Sequence, residues 1–262
     1  MNLPIRLRPT PYEKVWGTPL TQPWLQNPLN RNIGEIWFEA SKEWPLLVKL
    51  LFTSEKLSVQ VHPDDLYAQA HGEPRGKTEM WHVLRAEPGA MVALGLREAL
   101  TSEQLRAASL SGEIERLLNW VPARVGDTFF VPAGTIHVVG AGLVMCEVQQ
   151  FSDVTYRLYD YGRPRPLHLD DAVAVSILQP SPTRIQPTGP LLVECPYFRT
   201  ELLRVTGSVT FSPRPKTTLC VAIEGEGQFA GQAFHAGEAF EVPPNSDPFE
   251  IESSGATILI AS

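Results

Sequence analysis

The stretch Leu57–Asp65 reads LSVQVHPDD, and its alternation of apolar and polar residues is that of an extended strand. Leu57, Val59 and Val61 point one way, whereas Ser58, Gln60 and His62 point the other. One face is greasy and the other offers hydrogen-bonding and metal-ligating groups. Pro63 removes a ladder donor just after His62, and the Asp64–Asp65 pair is placed to cap a helix through Leu66–His71 that stops at Gly72. The polar face therefore sits at a strand end, where a sheet fixes side chains and the adjoining loop gives access. A solvated face on an edge strand shows the same alternation, so the reading depends on the segments that join it.

Lys77–Leu84 (KTEMWHVL) alternates again, with Lys77, Glu79 and Trp81 on one face and His82 on the other. Lys77 and Glu79 fit a charge arrangement on a wet face. Beside Gln60 and His62, Glu79 is equally placed to complete an oxygen-and-imidazole metal set, while His82 has the wrong parity and is read as structural. Leu46–Phe52 (LLVKLLF) is an apolar strand pattern interrupted by Lys49, which suits a snorkelling edge lysine as well as a functional one. Trp16, Trp37 and Phe38 are the expected core anchors of the first forty residues. Val125–His137 (VGDTFFVPAGTIH) reads as a Gly126-Asp127 turn, a strand over Thr128–Val131, a Pro132-Ala133-Gly134 turn, and His137 just beyond. In Leu143–Gln150 (LVMCEVQQ), Met145, Glu147 and Gln149 share a face, and a carboxylate inside so apolar a strand is either paired or exposed.

The clearly helical tract is Ala99–Val121, where Thr101 with Gln104 fits a capping box and Ile114, Leu117, Leu118 and Val121 recur at helical spacing. A second, short helix is expected around Asp170–Leu178. Gln179–Pro190 (QPSPTRIQPTGP) has no periodicity and marks a domain boundary. Beyond it, short strands with glycine and proline turns have the signature of a sandwich or barrel. Gly237–Pro243 (GEAFEVP) repeats Gly126–Pro132 (GDTFFVP), yet eleven residues on from each glycine stand Pro248 and His137 respectively. The expectation is two related β-barrel units: residues 1–185 with a site and a helical insertion at about 97–121, and residues 186–262 without one.

A net charge of −7 with no run of like charges argues against a nucleic-acid partner. No segment approaches the ~20 apolar residues of a membrane span, and MNLPIRLRPTPYEK lacks the apolar core of a signal peptide, so a cytoplasmic protein is expected. Cys146, Cys195 and Cys220 are odd in number and widely spaced, which suits three buried thiols rather than a disulfide framework.

Glycine-turn strand units with histidines and a glutamate projecting from strands resemble the cupin fold, a mainly β architecture of jelly-roll barrels. Within it, the chain resembles more closely class I, metal-dependent phosphomannose isomerase (mannose-6-phosphate isomerase) in its short bacterial form. The matching stretches are EKVWG, IGEIWFEAS, LLVKLLF, LSVQVHPDD, GKTEMWHVL, GDTFFVPAGTIH and CEVQQFSDVTYRLYDYGR, which occupy most of Tyr12–Arg163 in the family's order. Threonine stands in KTEMWHVL where many relatives have proline. The resemblance implies one Zn2+ per chain, held by Gln60, His62, Glu79 and His137. It implies further that Arg157, Lys77 and Glu147 are catalytic and that Lys49 and Ser58 bind substrate.

The implied reaction, interconversion of mannose 6-phosphate and fructose 6-phosphate through an enediol, suits these residue types. The enediolate carries negative charge on oxygen and needs fixed positive partners, which a Lewis-acidic zinc and Arg157 supply, with Lys49 or Lys77 for the phosphate or a hydroxyl. The base stays open between Lys77 and Glu147, Lys77 being favoured by position. Two other readings share the ligand set. A metal-dependent cupin oxygenase would show iron and substrate-dependent oxygen uptake, and a sugar-phosphate-binding cupin would show binding without turnover.

Overall fold

A computed structural model describes residues 3–40, 44–180 and 189–262. In chain order the elements are β1 (Ile5–Leu7), β2 (Thr10–Thr18), β3 (Ile33–Phe38), β4 (Leu46–Thr53), β5 (Val59–Val61), α1 (Asp65–Ala70), β6 (Glu79–Ala86), β7 (Met91–Leu96), α2 (Ser102–Ser111), α3 (Ile114–Leu117), β8 (Leu118–Pro122), β9 (Thr128–Val131), β10 (His137–Val139), β11 (Leu143–Gln150), β12 (Tyr156–Tyr159) and α4 (Leu169–Val175). They continue with β13 (Leu191–Glu194), β14 (Arg199–Phe211), β15 (Thr218–Glu224), β16 (Glu226–Phe229), β17 (Gln232–His235), β18 (Ala239–Val242) and β19 (Phe249–Ala261). The fold is mainly β, as the strand patterns and the cupin resemblance imply.

The chain divides into two compact units, Leu51–Ile185 and Met1–Leu50 with Gln186–Ser262. Residues 1–185, expected to form one barrel, are thus split: the first fifty group with the C-terminal strands. β1 pairs antiparallel with β18, Trp24 Nε1–H donates to Ile223 O at 2.8 Å, and Trp24 O abuts Gly237 so closely that no Cβ would fit there. Such pairings between residues far apart in sequence leave no local periodicity to read. The expected boundary after residue 185 falls within 181–188, outside the described residues.

In the Leu51–Ile185 unit, β11, β6 and β9 form one antiparallel set, and β12–β5–β10–β7–β8 form a five-stranded sheet. Val59, Val61, Ala93, Ile136, Val138 and Leu158 on one face of the latter make a core with Leu105, Ala108 and Ile114 of the helical insertion and Ala172 of α4. Because side chains alternate, that packing turns Gln60, His137 and Arg157 to the opposite face. The insertion differs from its sequence reading. The Thr101–Gln104 capping box is present, but Gly112 adopts left-handed φ 80° and ends α2, and Leu118–Pro122 pair with β7 as a strand. Val121 and Pro122 are poor helix formers, and sheet pairing wins over the helical spacing of Leu117, Leu118 and Val121.

The other unit encloses an aromatic core in which Phe229 and Phe240 stack at 4.4 Å, with Phe211, Phe234 and Phe249 around them. The repeated GxxFxVP segments are structurally alike: Gly126 (φ 85°) precedes β9 and Gly237 (φ 93°) precedes β18. Val131 of the first copy lies opposite Glu79, whereas Val242 of the second lies opposite Thr218. Where the first unit carries a carboxylate, the second carries a hydroxyl. Among the expected anchors Trp16 and Phe38 are buried, while Trp37 is half-buried with its indole N–H on Glu35 Oε2 at 2.8 Å. Cys146 and Cys220 are buried, but Cys195 is partly exposed, contrary to expectation. No helix among the described residues is long and apolar enough to cross a membrane.

Candidate metal centre

β5, β6 and β10 bring their polar faces together. Gln60 and His137 are direct cross-strand partners, and Gln60 is also paired with Arg157 of β12, so the three lie in one row on the same face. Glu79 opens β6, and His62 follows the last residue of β5. His62 Nε2 lies 3.5 Å from Glu79 Oε2, and His137 Nε2 lies 3.3 Å from Glu79 Oε1. One ligand atom from each of His62, Glu79 and His137 falls within 4.8 Å of the others, and all three residues are buried. Gln60 Nε2 is 3.2 Å from His137 Nε2, and Ser58 Oγ donates to Gln60 Oε1 at 3.1 Å. Turning the amide over would bring its oxygen to the histidine side and leave the NH2 for Ser58.

Both imidazoles are oriented from behind. His62 Nδ1–H donates to Val154 O at 2.9 Å and His137 Nδ1–H to Thr135 O at 2.9 Å, which leaves each Nε2 lone pair facing Glu79. Burial first, and the Lys77 charge second, pushes His62 down to about 3, and burial also lowers His137, so both rings are neutral at pH 7. Burial alone would raise the Glu79 pKa, but Lys77 and the two histidines outweigh it and hold the carboxylate well below its ordinary range. Glu79 Oε2 is buried without a hydrogen bond of normal geometry. Two neutral imidazoles, a buried ionised carboxylate facing both of them, and a neighbouring amide fit a divalent metal ion.

Lys77 Nζ reaches His62 Nε2 at 3.1 Å, Glu79 Oε2 at 3.0 Å and Glu147 Oε1 at 3.8 Å. Burial disfavours its charge, yet the two carboxylates prevail and raise its pKa, so the ammonium is retained. Arg157 has its Nε buried without a partner, and burial, followed by Arg165, lowers its pKa. Trp81, two residues beyond Glu79, meets the His137 ring edge-on at 5.5 Å. Ser58, Gln60, His62, Lys77, Glu79, His137 and Glu147 thus form one chain of contacts, with Arg157 in the same row of the sheet. Lys49 belongs to the other unit, where its ammonium lies 4.5 Å from the Trp37 ring. His82 is outside the cluster, its Nδ1 3.0 Å from Thr128 Oγ1. The carbonyls of Val154 and Thr135 carry no side-chain signature and were beyond sequence reasoning, whereas Trp81 shares the parity of Glu79.

No protein-family model matches the chain. It is 38% identical to the mannose-6-phosphate isomerase of Streptococcus mutans over 201 residues, covering 72% of this chain and 63% of that protein. It is 35% identical to the mannose-6-phosphate isomerase ManA of Bacillus subtilis over 235 residues, covering 82% of this chain and 74% of the relative. The crystal structure of a Bacillus subtilis mannose 6-phosphate isomerase superposes with a TM-score of 0.89 at 27% identity, covering 99% of each chain. The matched lengths, the shared fold and the buried His–Glu–His cluster lead to one assignment: the chain belongs to the mannose-6-phosphate isomerase family.

Proposed function

We propose that the chain interconverts mannose 6-phosphate and fructose 6-phosphate, with one Zn2+ held by His62, Glu79, His137 and Gln60. The observation that carries this reading is the convergence of two imidazole Nε2 atoms and a carboxylate within 4.8 Å, in a chain related to named isomerases. Zinc, when bound, supplies a Lewis acid that polarises the sugar oxygens and offsets the negative charge they gain.

The remaining work falls to the protein's own groups. Isomerisation moves a proton between C1 and C2 and another between O1 and O2. In the aldose-to-ketose direction Lys77, kept charged by Glu79 and Glu147, gives a proton to O1 and recovers one from the O2 hydroxyl, while the Glu147 carboxylate beside it takes the proton from C2 and returns it to C1. Arg157, in the row of Gln60 and His137 and with an unpartnered Nε, stabilises the enediolate oxygens. Ser58 holds the Gln60 amide. A coupled assay with mannose 6-phosphate tests the proposal: turnover abolished by a chelator and restored by Zn2+ is expected. Binding of the sugar phosphate without turnover in zinc-loaded protein would refute it.

A further inference from the structure

We infer that Asp65 and Gln150 form a positioning clamp that sets the distance between His62 and Glu79; the inference rests on the metal site proposed above. Both ligands stand at strand ends, His62 just past a short β5 and Glu79 at the first position of β6, where a ladder holds a side chain least well. The two neighbouring aspartates have separate tasks. Asp64 caps α1, its Oδ1 accepting Tyr67 N–H at 2.8 Å. Asp65 turns the other way: its Oδ1 accepts Gly76 N–H and Gln150 Nε2–H, each at 2.8 Å.

Gln150 completes the link. Its Oε1 accepts Thr78 N–H at 2.8 Å, and its own N–H donates to Thr78 O at 3.1 Å, so the residue between Lys77 and Glu79 is held from both sides. Strand alternation sends the Gln150 side chain away from the face of Glu147 and Gln149, so it holds the site from outside. Lys77 N–H donates to Pro63 O at 3.0 Å, and a Cβ on Gly76 would stand 2.4 Å from Pro63 O, so the segments before each ligand are in backbone contact. On the other side, Ala133 N–H donates to Thr78 Oγ1 at 3.2 Å and Gly134 N–H to His62 O at 2.8 Å, which ties the loop leading to His137 to the same frame. Gln150 and Thr78 are buried, so each bond lost leaves a polar group without water to replace it.

Zinc affinity, read by competition with a chromophoric chelator, tests the clamp. Asp65→Ala is expected to weaken zinc binding by about 10- to 100-fold, the usual scale for groups that orient ligands. Asp65→Asn, whose amide oxygen still accepts both bonds, recovers most of the affinity. Asp64→Ala, which removes the helix cap, lowers the Tm without changing zinc affinity. If Asp65→Ala does not fold, Gln150→Glu makes the same prediction, because it keeps the acceptor for Thr78 N–H while setting a carboxylate against Asp65. Wild-type zinc affinity in a folded Asp65→Ala or Gln150→Glu protein, or an equal loss in Asp64→Ala, would overturn the clamp alone. Failure of the wild-type protein to bind zinc would overturn the metal site, and the clamp with it.

Discussion

Replacing Lys77 by methionine keeps the length and much of the volume of a buried side chain while removing its charge. Glu79 Oε2 is 3.0 Å and Glu147 Oε1 3.8 Å from the ammonium. At an effective dielectric near 20 these distances correspond to attractions of about 5.5 and about 4.4 kcal/mol. Desolvation of all three groups opposes them, and deleting one partner of a buried ion pair costs about 3–5 kcal/mol net, because the orphaned charge stays behind. At about 2–4 °C per kcal/mol, the metal-free Lys77→Met protein should melt about 6–20 °C below metal-free wild type. A dication bound by His62, Glu79 and His137 replaces the missing positive charge, so zinc should narrow the difference, while turnover stays low for want of the proton donor. Thermal melts of chelator-treated and zinc-loaded protein measure both quantities. A metal-free variant as stable as wild type, or the same deficit with and without zinc, would refute the electrostatic reasoning.

His137→Ala should lose zinc and activity together, since the remaining ligands cannot hold the ion equally well; full activity with stoichiometric zinc would contradict the ligand assignment. Arg157→Ala should keep its zinc and lose turnover by about 10²-fold or more, the scale of one preorganised charge donor, and an unchanged kcat would show that Arg157 does not face the reacting oxygens.

Much of the site could be read from local pattern. The alternation in LSVQVHPDD placed Ser58, Gln60 and His62 on one face, parity separated Glu79 from His82, and glycine turns located β9 and the approach to His137. These inferences work because a strand's period of two is imposed by its own backbone. Assigning roles to Arg157, Lys77 and Glu147, by contrast, required the family resemblance, because their chemistry depends on which strands become neighbours. The pairing of β1 with β18 and the carbonyls of Val154 and Thr135 had no sequence signal at all. In the helical insertion, Leu117, Leu118 and Val121 suited a helix by spacing, and only pairing with β7 made the second half a strand. The Asp64–Asp65 pair read as a single cap, although only Asp64 caps and Asp65 reaches Gly76 and Gln150.

Crystals of the zinc-loaded protein, measured on both sides of the zinc absorption edge, would locate the ion directly. One anomalous peak is predicted, about 2.0–2.2 Å from His62 Nε2, His137 Nε2 and a Glu79 oxygen, with the Gln60 amide oxygen turned toward it. A fully loaded crystal whose peak lies elsewhere, with His62, Glu79 and His137 still clustered but holding no ion, would contradict the metal centre.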